Sequence, residues 1–315
     1  MLRWRIAQIL ALAATVALIA LLVVTPSTGL RLLWDVAIPV LPAVFLIQPT
    51  LWRNICPLAS INMLANRWSM GLVVKGRTLS AVTWIGVVLL AVMVPARRVL
   101  FNHDGLVLAA VISAVALLAL VAGLVFDKKA GFCSGICPVL PVERLYGQSP
   151  LGQVSNPRCR PCTLCTAPGC IDLSQSKSIP QLLGRARRSH AWLRSGFGVF
   201  AASFPGFVLG YNITQDGDLS TAGTVYLTVG LACVLSYLLT QLVVRALHLT
   251  SAVAGRALGT ISIAVYYWFA ASTVSGNLAL PDWSSLIIRL AAFCLIGFWL
   301  WRAIARTPLS GLSPS

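Results

Sequence analysis

The sequence is short of charge. Only 10% of its 315 residues are Asp, Glu, Lys or Arg, where soluble domains carry about a quarter. Acids are the scarcest, with 8 Asp and Glu against 24 Lys and Arg. With 58% of the residues hydrophobic, too little polar surface is left to clothe a soluble core. A soluble enzyme, a disordered tail and a small disulfide scaffold are therefore excluded. Histidine is scarce too: His103, His190 and His248 leave one conceivable axial pair, His190 and His248, which argues against a haem-stacking bundle. Neither a G-x-G-x-x-G turn nor a phosphate loop is present, so nucleotide binding has no support. No Ser/His/Asp or paired-carboxylate arrangement is visible either.

What the chain has instead is long apolar runs. A membrane-crossing helix needs roughly 20 mostly apolar residues. Eight such runs lie near 6–24, 32–48, 80–95, 105–126, 194–212, 222–244, 253–275 and 284–304. The second is the weakest, since it contains Asp35, Pro39 and Pro42. The expected fold class is an all-α polytopic membrane protein. Residues 1–126 form four spans with a Cys-Pro turn at 49–79. Residues 127–193 form a cysteine-rich cytoplasmic segment, and 194–315 four further spans. The first run, preceded by Arg3 and Arg5, reads as an uncleaved anchor.

The basic excess reports orientation. With the N-terminus inside, twenty of the 24 Lys and Arg residues fall on the cytoplasmic side, ten of them in 127–194. Five of the eight acids fall outside: Asp35, Asp104, Asp216, Asp218 and Asp282. Arg97 and Arg98 are the local objection. Both termini are expected in the cytoplasm, and nucleic acid is not an expected partner. Most of the tryptophans lie near span ends, as an interfacial belt would. Tyr266, Tyr267 and Trp268 read as core, with an aromatic groove for a quinone as the other option.

Two spans precede Ile55-Cys56-Pro57, and two more precede Ile136-Cys137-Pro138, at an offset of 81 residues. The first half thus reads as a tandem repeat with both Cys-Pro turns on one side. Cys133 begins a C-x3-C-P in the second unit, where the first unit has Trp52. Seven of the nine cysteines fall in the cytoplasmic segments; Cys233 and Cys294 sit in spans and read as packing residues. A reducing compartment argues for metal or redox chemistry rather than structural disulfides.

The densest motif is Cys159-Arg-Pro-Cys162-Thr-Leu-Cys165, followed by Cys170. A C-x2-C-x2-C string delivers successive thiolates to different irons of a [4Fe–4S] cube. A zinc site more often uses paired knuckles. Cys170 either closes that cube or joins Cys56, Cys133 and Cys137 in a second thiolate site. Seven cysteines cannot fully ligate two cubes. The flanking Arg158 and Arg160 suit an anionic cofactor, while Asp127, Glu143 and Asp172 are the three acids of this basic stretch.

Paired spans, the Cys-Pro turns, Gly131-Phe-Cys133-Ser-Gly-Ile-Cys137-Pro138 and the cysteine string resemble the membrane-bound polyferredoxins of the NapH/NosR type over about residues 30–175. That resemblance implies a ferredoxin-like iron–sulfur loop and electron exchange between a soluble or membrane redox partner and the quinone pool in a bacterial inner membrane. This chain departs from the pattern at Trp52, and it has one ferredoxin string where the family usually has two. The resulting expectation is an electron carrier rather than a self-contained enzyme. The rival is a thiolate-rich membrane protein that handles zinc or copper.

Overall fold

The computed structural model describes residues 2–72, 74, 76–129, 131–152, 170–172, 175–188 and 190–305. Cys159, Cys162 and Cys165 lie outside them. The described residues are helical, with one isolated bridge between Leu72 and Phe126. Eight helices are long and apolar enough to cross a membrane: Arg3–Val24, Pro26–Ile47, Ala81–Phe101, Gly105–Val125, Gly196–Ile213, Leu219–Ala246, Ser251–Asn277 and Trp283–Ala305. Each matches a run expected from composition. In lipid a helix satisfies its own backbone, so apolar length alone suffices to write these elements.

The second span is the irregular one. It consists of α2 (Pro26–Arg31), a π-helical stretch (Leu32–Ala37) and α3 (Ile38–Ile47), following α1 (Leu2–Val24). Pro42 has no N–H to give, and its ring crowds the preceding turn. One residue on, a side chain enters the ladder. The Tyr267 hydroxyl donates to the Pro39 carbonyl at 2.8 Å and accepts from the Ala43 N–H at 3.1 Å. Asp35, in the π-helical stretch, is buried and accepts from Asn277 Nδ2 at 2.9 Å.

The remaining spans contain α6 (Gly76–Ala96), α7 (Gly105–Val125), α10 (Gly196–Ile213), α11 (Ala222–Ala246), α12 (Ser251–Asn277) and α13 (Trp283–Ala305). The innermost is α10, with 61% of its span buried. Phe197, Phe200, Phe204 and Phe207 run along it as a stack, the closest ring pair 4.7 Å apart. Arg97 and Arg98, at the end of their span, both find partners. Arg97 lies over the Trp34 ring at 4.1 Å and donates to Asn102. Arg98 lies over Tyr211 at 4.4 Å and pairs with Asp216 at 2.7 Å.

Three short helices fill the bundle from one end: α4 (Pro49–Ile55), α5 (Pro57–Ala65) and α8 (Leu140–Tyr146). A further helix, α9 (Gln175–Leu183), follows the cysteine-rich stretch. The segments 49–79 and 127–152 are thus not simple connections. Asn62 Nδ2 donates to the Ala119 carbonyl, and Asn66 Nδ2 to those of Gly123 and Phe126. Partners advance in step, so α5 runs alongside the end of α7 in the same direction. A Cβ on Gly123 would collide with the Asn62 carbonyl, which is why this contact needs glycine. On the other side, Leu145 of α8 sits against Gly259, and Tyr146 against Phe204, both well inside their spans.

Candidate thiol and ion-pair site

The two Cys-Pro turns have the same backbone. Cys56 has φ −52° and ψ 126°, Cys137 φ −58° and ψ 121°. In both, proline fixes the first residue after the turn and favours an extended residue before it. Each cysteine then stands where a helical turn begins. The backbone N–H groups of Ala59 and Leu58 pull the Cys56 thiol down, and that of Val139 pulls Cys137 down, though neither offsets burial. The turns are close together: Cys133 feels the charge state of Cys56, and Cys137 that of both. Cys56 and Ile136 pack on a cluster of Ala59, Ala119, Ala122, Phe132 and Cys133. Gly86 of α6 lets the carbonyls of Ile136 and Cys137 approach that span.

Depth follows from the α5–α7 contact. Cys56 precedes Asn62 by six residues, about 9 Å of helix rise. It therefore lies deeper in the bundle than Ala119, which is itself six residues inside the end of α7. Sequence reading placed these thiols in segments between the spans. The structure packs Cys56 on residues of α7 and sets the Cys137 carbonyl against Gly86 of α6.

Beside them is a buried ion network. Arg53 is 3% exposed, and all five of its guanidinium N–H groups have partners. Nε and Nη2 donate to Asp172 Oδ2 at 2.9 and 2.7 Å. Nη1 donates to Glu143 at 2.8 Å and to the Cys133 carbonyl at 3.1 Å. Nη2 also donates to Ser134 Oγ at 3.0 Å. Lys129 answers with bonds to the Arg53 carbonyl and to Asp172 Oδ1, both 3.0 Å. Two cations and two anions balance, which removes most of the penalty for burying them.

Burial by itself would raise the Asp172 carboxyl, but Arg53 and Lys129 outweigh it and hold Asp172 well below the usual carboxylate range. Glu143 moves the other way: burial pushes it up, and Arg53 offsets only part of that. Arg53 is likewise penalised by burial, yet Asp172 and Glu143 keep it firmly charged. Burial pushes the Cys133 thiol up to about 12 against the pull of Arg53 and Lys129. Cys56 and Cys137 are also raised, again by burial. Unligated, these thiols stay protonated; a metal or cluster would have to displace their protons.

Cys170 is buried at 7% exposure, two residues before Asp172 and close to Arg144, whose pKa burial and Arg53 push down to about 10. On the other side of the cysteine string, the N–H groups of Leu151 and Gly152 bond the carbonyls of Leu46 and Ile47 at the end of α3. Both described flanks of the string are therefore fastened to the bundle.

Of the expected site residues, Cys56 and Cys133 share one packed cluster, Cys137 closes the Cys133 turn, and Cys170 lies two residues before Asp172, which is bound to Arg53. All four are free thiols. Among the described residues no three His, Cys, Asp or Glu side chains form a group that could hold a metal ion. His190 and His248 do meet, their rings stacked with centroids 6.2 Å apart. Arg53, Lys129, Glu143 and Asp172 were not expected as a unit. The available signal was the rarity of acids: Glu143 and Asp172 flank the cysteine string on the basic side of the chain. No family model, curated protein or solved structure matches this sequence.

Proposed function

We propose that this chain is a membrane-bound iron–sulfur electron carrier of a bacterial inner membrane, with both termini and the cysteine string on the cytoplasmic side. The observation that carries the reading is the convergence of both Cys-Pro turns and Cys170 on one buried region held by the Arg53 ion network. Cys159, Cys162, Cys165 and Cys170 are the proposed ligands of a [4Fe–4S] cluster, on the strength of their spacing. Cys56, Cys133 and Cys137 are the proposed ligands of a second thiolate-bound group.

As they stand, the described thiols do not form a metal-holding group, so a bound group would have to draw them closer. Backbone N–H groups next to Cys56 and Cys137 favour sulfur that carries negative charge. When bound, an iron–sulfur cluster supplies one-electron chemistry. The chain supplies the ligands, excludes water through Phe132, Leu140 and Leu145, and sets the local field through Arg53 and Lys129. Electrons would pass between a soluble or membrane redox partner and the quinone pool.

A second reading is favoured by one observation, the depth of Cys56 and Cys137 among the spans. Soft thiolates inside a bundle also suit the handling of copper(I) or zinc. Anaerobic purification separates the two. The electron carrier is brown and contains iron and acid-labile sulfide, and Cys162→Ser loses its visible and electron paramagnetic resonance (EPR) signals. A colourless protein carrying copper or zinc overturns the carrier reading in favour of the second.

A further inference from the structure

Arg53 belongs to the first Cys-Pro unit, yet every group its side chain touches lies beyond the fourth span. It donates to the carbonyl of Cys133, to Ser134 beside it, to Glu143 of α8 and to Asp172 beyond Cys170. Its own carbonyl is held in return by Lys129, four residues before Cys133. The neighbouring Asn54 carbonyl accepts from Gln8 of α1, so the backbone at Arg53 is tied to the bundle on a second side. One planar fork thus touches the turn bearing Cys133 and Cys137, and the stretch bearing Cys170.

We infer that Arg53 is a positioning residue for the thiol site: it fixes the Cys133 turn and the Cys170–Asp172 stretch in one geometry, and it adds a positive charge beside them. This inference rests on the proposed iron–sulfur reading for its spectroscopic consequences but not for its geometric ones. Lysine keeps the charge but cannot reproduce five donors in a rigid fork, so the two contributions can be separated. Arg53→Lys should disturb geometry and leave the field nearly intact. Arg53→Gln should remove the charge as well.

The experiment uses the full chain in detergent, purified anaerobically, as wild type, Arg53→Lys, Arg53→Gln and Arg98→Gln. Arg98 is a control, since it pairs with Asp216 near the opposite end of the spans. Three quantities are read: iron content with EPR line shape, midpoint potential, and the N-ethylmaleimide alkylation rate of Cys133 and Cys170 by mass spectrometry. Arg53→Lys should keep its iron, change the line shape and leave the potential near wild type. Its alkylation at Cys133 and Cys170 should rise at least about tenfold, as expected for losing one or more charge-assisted hydrogen bonds. Arg53→Gln should lower the potential, because the reduced, more negative form loses a nearby cation. Arg98→Gln should match wild type throughout.

If Arg53→Lys matches wild type in line shape and in alkylation, the inference is overturned. Should Arg53→Gln fail to fold, Arg53→Lys decides alone. If wild type contains no iron, the proposed function fails, and the alkylation rates still judge Arg53 by themselves.

Discussion

The guanidinium of Arg53 donates to the hydroxyl of Ser134 at 3.0 Å, and these residues are separated by 81 positions, the same offset that separates Cys56 from Cys137. Positions at the spacing of the two Ile-Cys-Pro strings therefore touch across the site. Ser134→Ala should remove one bond to a buried cation and cost about 1.5–3 kcal/mol. Thermal unfolding of the detergent-solubilised protein checks this. A change within error would show that Ser134 contributes nothing to the clasp.

Asp172 and Glu143 are both buried carboxylates on Arg53, but they are not equivalent. Asp172 takes two bonds from Arg53 and one from Lys129, whereas Glu143 takes one from Arg53. Asp172→Asn leaves two cations short of a partner and should cost about 3–5 kcal/mol, in the range for breaking a buried pair. Glu143→Gln should cost clearly less, since burial already favours the neutral form there. Equal losses in a side-by-side stability measurement would contradict this ranking.

The contact between α5 and α7 depends on Gly123. Gly123→Ala puts a methyl group into the Asn62 carbonyl, and overpacking of this kind costs about 1–3 kcal/mol. Gly230, in the middle of α11, has open space where its Cβ would go, so Gly230→Ala should be neutral or slightly stabilising. The pair of variants is compared by melting temperature in the same detergent. A loss at Gly230 equal to that at Gly123 would point to a generic glycine effect.

Tyr267→Phe tests the wedge in the second span. Without the hydroxyl, the Ala43 N–H and Pro39 carbonyl lose the group that joins them. The expected cost is about 1–3 kcal/mol, the penalty for stranding buried polar groups. Amide hydrogen exchange at residues 39–47 should also quicken. Unchanged exchange would mean that the helix closes its own ladder once the hydroxyl is gone.

The spans were legible in the sequence because apolar length is sufficient physics for a helix in lipid. Even the boundaries near 105–126 and 222–244 match to within a few residues. Two short Ile-Cys-Pro strings suggest the repeat in the sequence, and Cys56 and Cys137 share the extended backbone that a following proline imposes. The depth of those turns was not legible. Residues 49–66 contain Arg53, Asn62 and Asn66, and hydropathy reads such a stretch as a loop at the surface. The amide N–H groups of Asn62 and Asn66 instead reach backbone carbonyls at the end of α7, and Arg53 reaches partners 80 to 119 residues away in the chain. Pairings at that separation leave no periodic trace. The partners of Arg97 and Arg98 were hidden for the same reason: Trp34, Tyr211 and Asp216 are distant in the chain.

Arg53, Glu143, Cys133 and Cys170 are each no more than 7% exposed, in segments that also bury Phe132, Leu140 and Leu145. A group bound to Cys133 would be held largely by buried residues. Its loading would belong to the assembly of the bundle, and its binding energy would count as folding energy. Stripping it would then register as a loss of the fold rather than as an emptied pocket.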